Sequence, residues 1–206
     1  FFRQTGAVRV ESLEEMAQTA LAFERLGKVR GRGGGGTGTG GGIGVAAADA
    51  CAHEGLNLAP FRENLMVKLR SFIPPAGNMI RNPLDAHLLL VEPDLLGQAL
   101  DMLSAESSLD MFIISLHMDW LFSRGQGEAT RRIARYIADE ACQHTGGKPL
   151  VVALRQFTPR DDIRATMEMV KSVLLEAGVP FYDSIPQAAS ALAKMAKYNE
   201  FHKHVK

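Results

Sequence analysis

The 206-residue sequence lacks a net charge, a disulfide framework and long apolar runs. Its 23 Lys and Arg residues balance its 23 Asp and Glu residues, whereas nucleic-acid-binding proteins usually carry a basic excess, so this balance argues against that class. No apolar run approaches the roughly 18 residues that a membrane-spanning helix needs, which argues against an integral membrane protein. Hydrophobic residues at 46% and charged residues at 22% exclude a wholly disordered chain.

Cysteine is also scarce, since the chain contains only Cys51 and Cys142. Two cysteines cannot form the framework typical of small secreted proteins, so we expect a reducing, cytoplasmic location. The first residues, 1–5, lack a Met, a charged segment and the apolar segment of a signal peptide. We therefore expect the chain to be a fragment that begins inside a larger protein.

Apolar strands alternate with amphipathic helices along most of the chain. Ser12 and Glu15 form the pattern of a capping box that opens a helix over 12–26. The apolar residues at helical spacing in this segment are Leu13, Met16, Ala20, Phe23 and Leu26. The pattern further predicts strands over 109–116, 149–154 and 179–182, and helices over 45–52, 61–72, 94–105, 128–143, 162–177 and 187–198. Strands separated by helices indicate a parallel sheet that is covered on both faces.

Glycine is concentrated in one segment, because ten of the 20 glycines lie between Gly31 and Gly44. The end of this segment leads into an alanine-rich helix. A glycine turn at a helix start presents backbone N–H groups and the positive end of the helix dipole, a combination that binds phosphate or another anion. The residues predicted to face that anion are Gly40, Gly41, Gly42, Ile43 and Gly44.

Three other interpretations of the glycine segment are weaker. A Walker A loop would end in Gly-Lys-Ser/Thr, which the segment does not contain. Gly36, Gly38 and Gly41 match the dinucleotide-binding spacing, but no apolar strand precedes them, so NAD or FAD binding is disfavoured. A flexible glycine linker without a ligand is the third alternative.

Several motifs resemble, in order and with compatible spacing, those of the NDP-forming acyl-CoA synthetases, which are relatives of succinyl-CoA synthetase. They are the segments 41–56, 69–75, 148–149 and 177–182, together with the Asn82-Pro83-Leu84-Asp85 motif. Within that motif the family residues are Asn82, Pro83 and Asp85. The opening residues 2–15 resemble the family's passage between two ligase-type domains.

The resemblance implies an α/β, flavodoxin-like fold with a five-stranded parallel sheet in the order 2-1-3-4-5. Residues 31–206 would form this domain, and residues 1–30 would be a helical connection from a preceding domain. Enzymes of the family interconvert acyl-CoA, ADP (or GDP) and phosphate with a free acid, CoA and a nucleoside triphosphate. A phosphohistidine is an intermediate, and Gly40–Gly44 matches the start of a helix whose N-terminus stabilises it.

The resemblance also implies that other domains supply the catalytic histidine and the binding sites for CoA and the nucleotide. The family's phosphohistidine lies in a Ser-His-Thr-Gly loop upstream of the passage that opens this chain. We therefore expect no catalytic residue here and no activity of the fragment alone. The complete enzyme would use CoA, ADP or ATP and Mg, and its CoA-binding, histidine-bearing and ATP-grasp domains would be the partners. A homo-oligomer is compatible with the sequence, and a non-catalytic anion-binding or assembly module is the alternative function.

Residues 33–39 depart from the family pattern, because relatives carry an apolar strand such as Val-x-Ile-Val there. Glycine is a poor strand residue. Two interpretations are open. Either these residues stand in for a strand whose side chains were not established, or they are a true substitution that weakens the central strand.

Two histidines outside this region are further candidates for site residues. The segment 144–147, His-Thr-Gly-Gly, imitates the phosphohistidine loop, but its position does not match and we expect a helix cap there. His117 follows a predicted strand, where a loop could contact a ligand, although a loop that only packs Trp120 is favoured. No spacing typical of a metal site occurs.

Overall fold

The computed structural model describes residues 1–38, 40–124 and 128–204. Its centre is a five-stranded sheet in the order β2-β1-β3-β4-β5, and all neighbouring strands are parallel. The strands are β1 (Gly34–Gly38), β2 (Leu84–Asp85), β3 (Met111–His117), β4 (Leu150–Arg155) and β5 (Phe181–Tyr182). The predicted α/β fold and its strand order 2-1-3-4-5 are therefore confirmed.

Helices connect the strands and cover both faces of the sheet. They are α1 (Phe2–Thr5), α2 (Leu13–Arg25), α3 (Gly41–His53), α4 (Glu63–Arg70), α5 (Pro93–Ser104), α6 (Met118–Arg124), α7 (Glu128–Gln143), α8 (Asp161–Glu176) and α9 (Ile185–His204), with a 3-10 helix at His87–Leu90. The sequence pattern predicted α7 with the observed bounds. It missed α6, where a loop was expected, because seven residues are too short to display a helical period.

The side chains of the sheet divide between two apolar layers. On one face Met111, Ile113 and Val151 pack with buried residues of α3 and α9 such as Cys51 and Leu192. The opposite face, which includes Ile114 and Val152, packs against α4, α5, α7 and α8. Since successive side chains of a strand point to opposite faces, β3 and β4 are buried on both sides and are mostly apolar, apart from Ser115 and the last residue of each strand.

Helix α2 begins where its cap was predicted, since the Glu15 N–H donates to Ser12 Oγ at 3.1 Å. Its buried face differs from its apolar spacing: Leu13 and Met16 are 79% and 51% exposed, whereas Thr19 and Ala22 are buried. The smaller side chains face α9 because they let the two helices approach closely. In the described part of the chain no helix is long and apolar enough to cross a bilayer.

The glycine segment does form a strand in the interior of the sheet, second from one edge. Gly34–Gly38 pairs with β2 on one side and with β3 on the other, while Thr39 lies outside the described residues. Neighbours occupy the space that side chains would fill, because a Cβ built on Gly35 would lie 2.8 Å from the Phe112 ring. Backbone pairing to both neighbours thus holds this strand in place, and its single side chain beyond glycine, that of Thr37, donates to the Leu84 carbonyl at 3.2 Å.

Candidate functional site

The first residues of α3 lie at the carboxyl edge of the sheet, directly after the central strand β1. From β1 the chain crosses over to β2 on one side, and β3 lies on the other side. In open parallel sheets such a change of direction leaves a crevice at the carboxyl ends of the strands, where ligands bind. This position makes the start of α3 the candidate site.

Gly40 forms the turn between β1 and α3. Its backbone angles, φ 96° and ψ 126°, lie in a region that L side chains rarely adopt, so glycine is required there. The Gly40 N–H donates to Asp85 Oδ1 at 2.8 Å. The Gly40 carbonyl accepts from the N–H groups of Ile43 at 2.9 Å and Gly44 at 3.2 Å, which closes the first turn of α3.

The N–H groups of Gly41 and Gly42 have no hydrogen-bond partner among the residues that the structure describes. A Cβ built on Gly42 would meet nothing within 4 Å, so the space beside it is open. Two unsatisfied amides at the positive end of a helix can bind an anion. Of the five residues predicted to face phosphate, these two offer free donors, and the anion-binding role of the set stays a prediction.

Asn82, the first residue of the family motif, binds the edge of β1. Its side-chain oxygen accepts from the Gly36 N–H at 3.1 Å, and its side-chain nitrogen donates to the carbonyls of Gly34 at 2.8 Å and Ala59 at 3.0 Å. The amide group therefore acts as a strand partner for β1 just upstream of β2. It fixes the strand that leads into the Gly40 turn.

Pro83 and Asp85 complete the contact between this motif and the glycine segment. A Cβ built on Gly36 would lie 3.1 Å from the Cβ of Pro83, so the proline ring packs closely on β1. The main chain of Asp85 is paired with Met79 in both directions, at 2.8 and 3.1 Å. The Asp85 side chain thereby reaches Gly40 from a fixed position.

A small cavity of about 20 Å³ lies under the first turn of α3. Its lining includes Gly38, Gly44, Asp85 and Ser115. Ser115 is 3% exposed, and its hydroxyl has no hydrogen-bond partner among the described residues. A buried hydroxyl without a partner is uncommon and indicates that the site can accept a further polar group. Ser115 was not predicted as a site residue, because its only signal is a polar residue within a mostly apolar strand.

His117 and Asp119 lie at the same edge of the sheet, at the end of β3. Asp119 accepts backbone N–H groups of Phe157 at 2.9 Å and Thr158 at 3.0 Å. Burial raises the pKa of Asp119, but these hydrogen bonds outweigh it, and the pKa lies below its ordinary value. The carboxylate is 3.5 Å from Nε2 of His117, whose ring packs edge-on against Phe157. The contacts tie β3 to the loop after β4.

The other histidine considered from the sequence, His144, lies at the opposite edge of the sheet. It follows α7 and precedes β4, so it is near the amino end of the strands. Its two ring nitrogens lie 3.0 Å from Asp101 and 3.4 Å from Glu140. Gly146 and Gly147 have positive φ angles, as at a helix C-terminus. The sheet therefore separates His144 from the start of α3.

Among the described residues, the cysteines and the acidic and histidine side chains form no second candidate site. Burial raises the pKa of the Cys51 thiol to about 11, which makes it a poor nucleophile. Partial burial also raises the pKa of the Cys142 thiol. Within the described ranges, no group of three or more His, Cys, Asp or Glu residues could hold a metal ion.

Comparison with known proteins supports the family resemblance drawn from the motifs. No protein-family model matches the chain. The chain is 26% identical over 199 residues to the alpha subunit of acetate–CoA ligase [ADP-forming] II of Pyrococcus furiosus. The aligned region covers 95% of this chain and 40% of that subunit. The predicted resemblance to NDP-forming acyl-CoA synthetases is confirmed by this similarity. The chain spans about two fifths of the length of that relative.

Solved structures share the fold. The structure of PH0766 from Pyrococcus horikoshii OT3 has a TM-score of 0.77 and 24% identity, covering 97% of this chain and 42% of that one. The dinucleotide forming acetyl-coenzyme A synthetase 1 of Ca. Korarchaeum cryptofilum, in its apo form, has a TM-score of 0.76 and 20% identity, covering 99% of this chain and 41% of that one. The same enzyme in complex with phosphate and ADP has a TM-score of 0.75.

Proposed function

We propose that this chain is the ligase-type domain of an NDP-forming acyl-CoA synthetase and that the N-terminus of α3 stabilises a phosphohistidine presented by another domain. The observation that carries the proposal is the Gly40 turn at the carboxyl edge of the sheet, after which the N–H groups of Gly41 and Gly42 have no partner among the described residues. The similarity to an ADP-forming acetate–CoA ligase subunit supports the same reaction class.

The proposed role of this site is to stabilise negative charge electrostatically. A phosphoryl group on histidine carries a charge near −2, and backbone amides with a helix dipole stabilise it without any proton transfer by a side chain. Glycine at positions 40–42 lets the anion approach the backbone, because no Cβ stands in the way. The amides are preorganised, since Asp85 and the first helical turn hold Gly40 before any ligand arrives.

The proposal assigns the other parts of the reaction to domains outside this chain. The residues at the start of α3 are glycines and Ile43, and the proposal takes the phosphorylated histidine from a partner domain. CoA, the nucleotide and Mg would be bound by the CoA-binding and ATP-grasp domains, with the described residues offering no cluster for a metal. The overall reaction would convert acyl-CoA, ADP and phosphate to the free acid, CoA and ATP in the cytoplasm.

A phosphorylated peptide tests the proposal on the chain itself. A short Ser-His-Thr-Gly peptide phosphorylated on its histidine is titrated into the ¹⁵N-labelled chain, and amide shifts are followed by NMR. The largest shifts are expected at Gly41 and Gly42, and the unphosphorylated peptide should produce none. Equal responses to both peptides, or turnover of acyl-CoA, ADP and phosphate by the chain alone, would contradict the proposal.

A further inference from the structure

Asp85 brings a negative charge to the same helix end that is proposed to receive a phosphoryl group. We infer that Asp85 is a positioning residue with two opposed effects: it holds the Gly40 turn in place, and its charge limits how tightly the start of α3 binds the anion. The inference rests on the proposed function. It names a determinant of phosphate affinity that the family resemblance does not specify.

The first effect follows from how firmly Asp85 is fixed. Its main chain pairs with Met79 through two hydrogen bonds and with Gly38 in the register of β1 and β2. From there its Oδ1 accepts the Gly40 N–H at 2.8 Å. Gly40 has a φ of 96°, and this bond fixes its amide in the turn that leads into Gly41 and Gly42.

The second effect follows from distance. A Cβ built on Gly41 would lie 4.0 Å from Asp85 Oδ2, so the carboxylate is adjacent to the first free amide. An anion bound at Gly41 and Gly42 would therefore lie roughly 6 Å from the carboxylate. Between charges of −1 and −2 at that distance in a water-like medium, repulsion lowers affinity by about three- to tenfold, depending on salt.

An independent observation marks this place as a ligand site. The Ser115 hydroxyl is buried without a partner among the described residues, and Ser115 and Asp85 line the same small cavity under the α3 turn. The site thus holds unused donors on the backbone, an unused hydroxyl below them and a fixed carboxylate beside them. A site that passes a phosphoryl group onward gains nothing from binding it too tightly, since only stronger binding of the transition state speeds transfer.

The test compares Asp85→Asn with a matched control, Asp49→Asn. Asn keeps an oxygen that can accept the Gly40 N–H but removes the charge. Asp49 is exposed on α3, eight positions after Gly41. This spacing places it about 12 Å from Gly41 along the helix axis, which is longer than the Debye length of about 8 Å, so its charge is screened from the anion. Inorganic phosphate is titrated into each chain, and the shifts of the Gly41 and Gly42 amides give the affinity.

Asp85→Asn is expected to bind phosphate about three- to tenfold more tightly than the original chain, and the gain should shrink in 1 M salt. Asp49→Asn should bind as the original does. Asp85→Ala, which cannot hold the turn, should increase the hydrogen-exchange rate of the Gly40 amide by at least about tenfold.

This design distinguishes failure of the inference on Asp85 from failure of the proposed function. If phosphate shifts Gly41 and Gly42 but Asp85→Asn binds it equally or more weakly, the inference on Asp85 is overturned and the proposed function stands. If none of the chains responds to phosphate, the proposed function is overturned and the charge effect with it. Unchanged exchange at Gly40 in Asp85→Ala would overturn the positioning role in either case.

Discussion

The side-chain oxygen of Asn82 accepts the backbone N–H of Gly36 at 3.1 Å, although 46 positions separate the two residues in the sequence. The side-chain nitrogen of Asn82 also donates to the carbonyls of Gly34 and Ala59. The side-chain amide of Asn82 therefore pairs with the backbone of β1 upstream of the point where β2 begins. The central strand has almost no side chains, so its position depends on such backbone contacts. They also set where the Gly40 turn begins.

Asn82→Ala is expected to destabilise the fold by about 2–4 kcal/mol, because it removes three hydrogen bonds and leaves their backbone partners partly buried. The free energy of unfolding in urea measures this. Asn64→Ala is the control, since Asn64 is exposed and its side chain accepts only the adjacent Leu65 N–H among the described residues, and it should cost less than about 1 kcal/mol. Similar losses for both variants would show that the Asn82 bonds contribute little.

Gly41→Pro should weaken phosphate binding while leaving the helix intact. Gly41 is the first residue of α3, where proline is well tolerated, and its N–H makes no bond with the described residues. Losing one of two free donors is expected to lower affinity about tenfold, with little change in the unfolding midpoint. Gly41→Ala also adds a Cβ but keeps the N–H, so it should bind phosphate more tightly than Gly41→Pro, and equal binding by both variants would argue against the amide as a donor.

Substituting alanine for Gly33 and for Gly34 should change the free energy of unfolding in opposite directions. A Cβ on Gly33 would lie 1.9 Å from the carbonyl oxygen of Ser108, which is backbone and cannot move alone. We expect Gly33→Ala to cost more than about 2 kcal/mol of unfolding free energy. A Cβ on Gly34 would meet only the tip of Leu58 at 2.9 Å.

Because Leu58 can rotate away, Gly34→Ala should stabilise the strand by about 0.5–1 kcal/mol through the lower entropy of the unfolded chain. Urea unfolding of the two variants side by side measures the contrast. A loss at position 34 as large as at position 33 would mean that Leu58 is not free to move.

Stability should fall at acid pH partly through Glu15, which links α2 to α9. The Lys194 ammonium, together with the Glu11 N–H, holds the pKa of Glu15 below its usual value of about 4.3. A carboxylate with a lowered pKa contributes stability that is fully present above the unfolded value and is lost as pH falls through the folded one.

Glu15→Gln should therefore flatten the decline of unfolding free energy between about pH 5 and pH 3. Urea unfolding at pH 7 and at pH 3.5 measures that decline. Glu24→Gln, on the exposed side of the same helix, is the control and should leave the slope as it is. An unaltered slope in Glu15→Gln would show that the contact with Lys194 does not contribute.

Much of the fold could be predicted from the sequence because its signals are local. The helical period of residues 128–143 gives α7 its bounds, and Ser12 caps α2 as its spacing from Glu15 indicates. Alternation of apolar strands with helices indicates a parallel sheet. The strand order came from the family resemblance, since periodicity does not reveal which strands are neighbours.

The sequence by itself determined the glycine turn and the helix after it, since both depend on residues adjacent in the chain. Tertiary structure decided what surrounds them. Asp85 reaches Gly40 across 45 positions, Ser115 lies beneath the turn because β3 pairs with β1, and small residues rather than Leu13 face α9. These contacts depend on strand register and on the distance between packed elements, which many residues set together and no local pattern encodes.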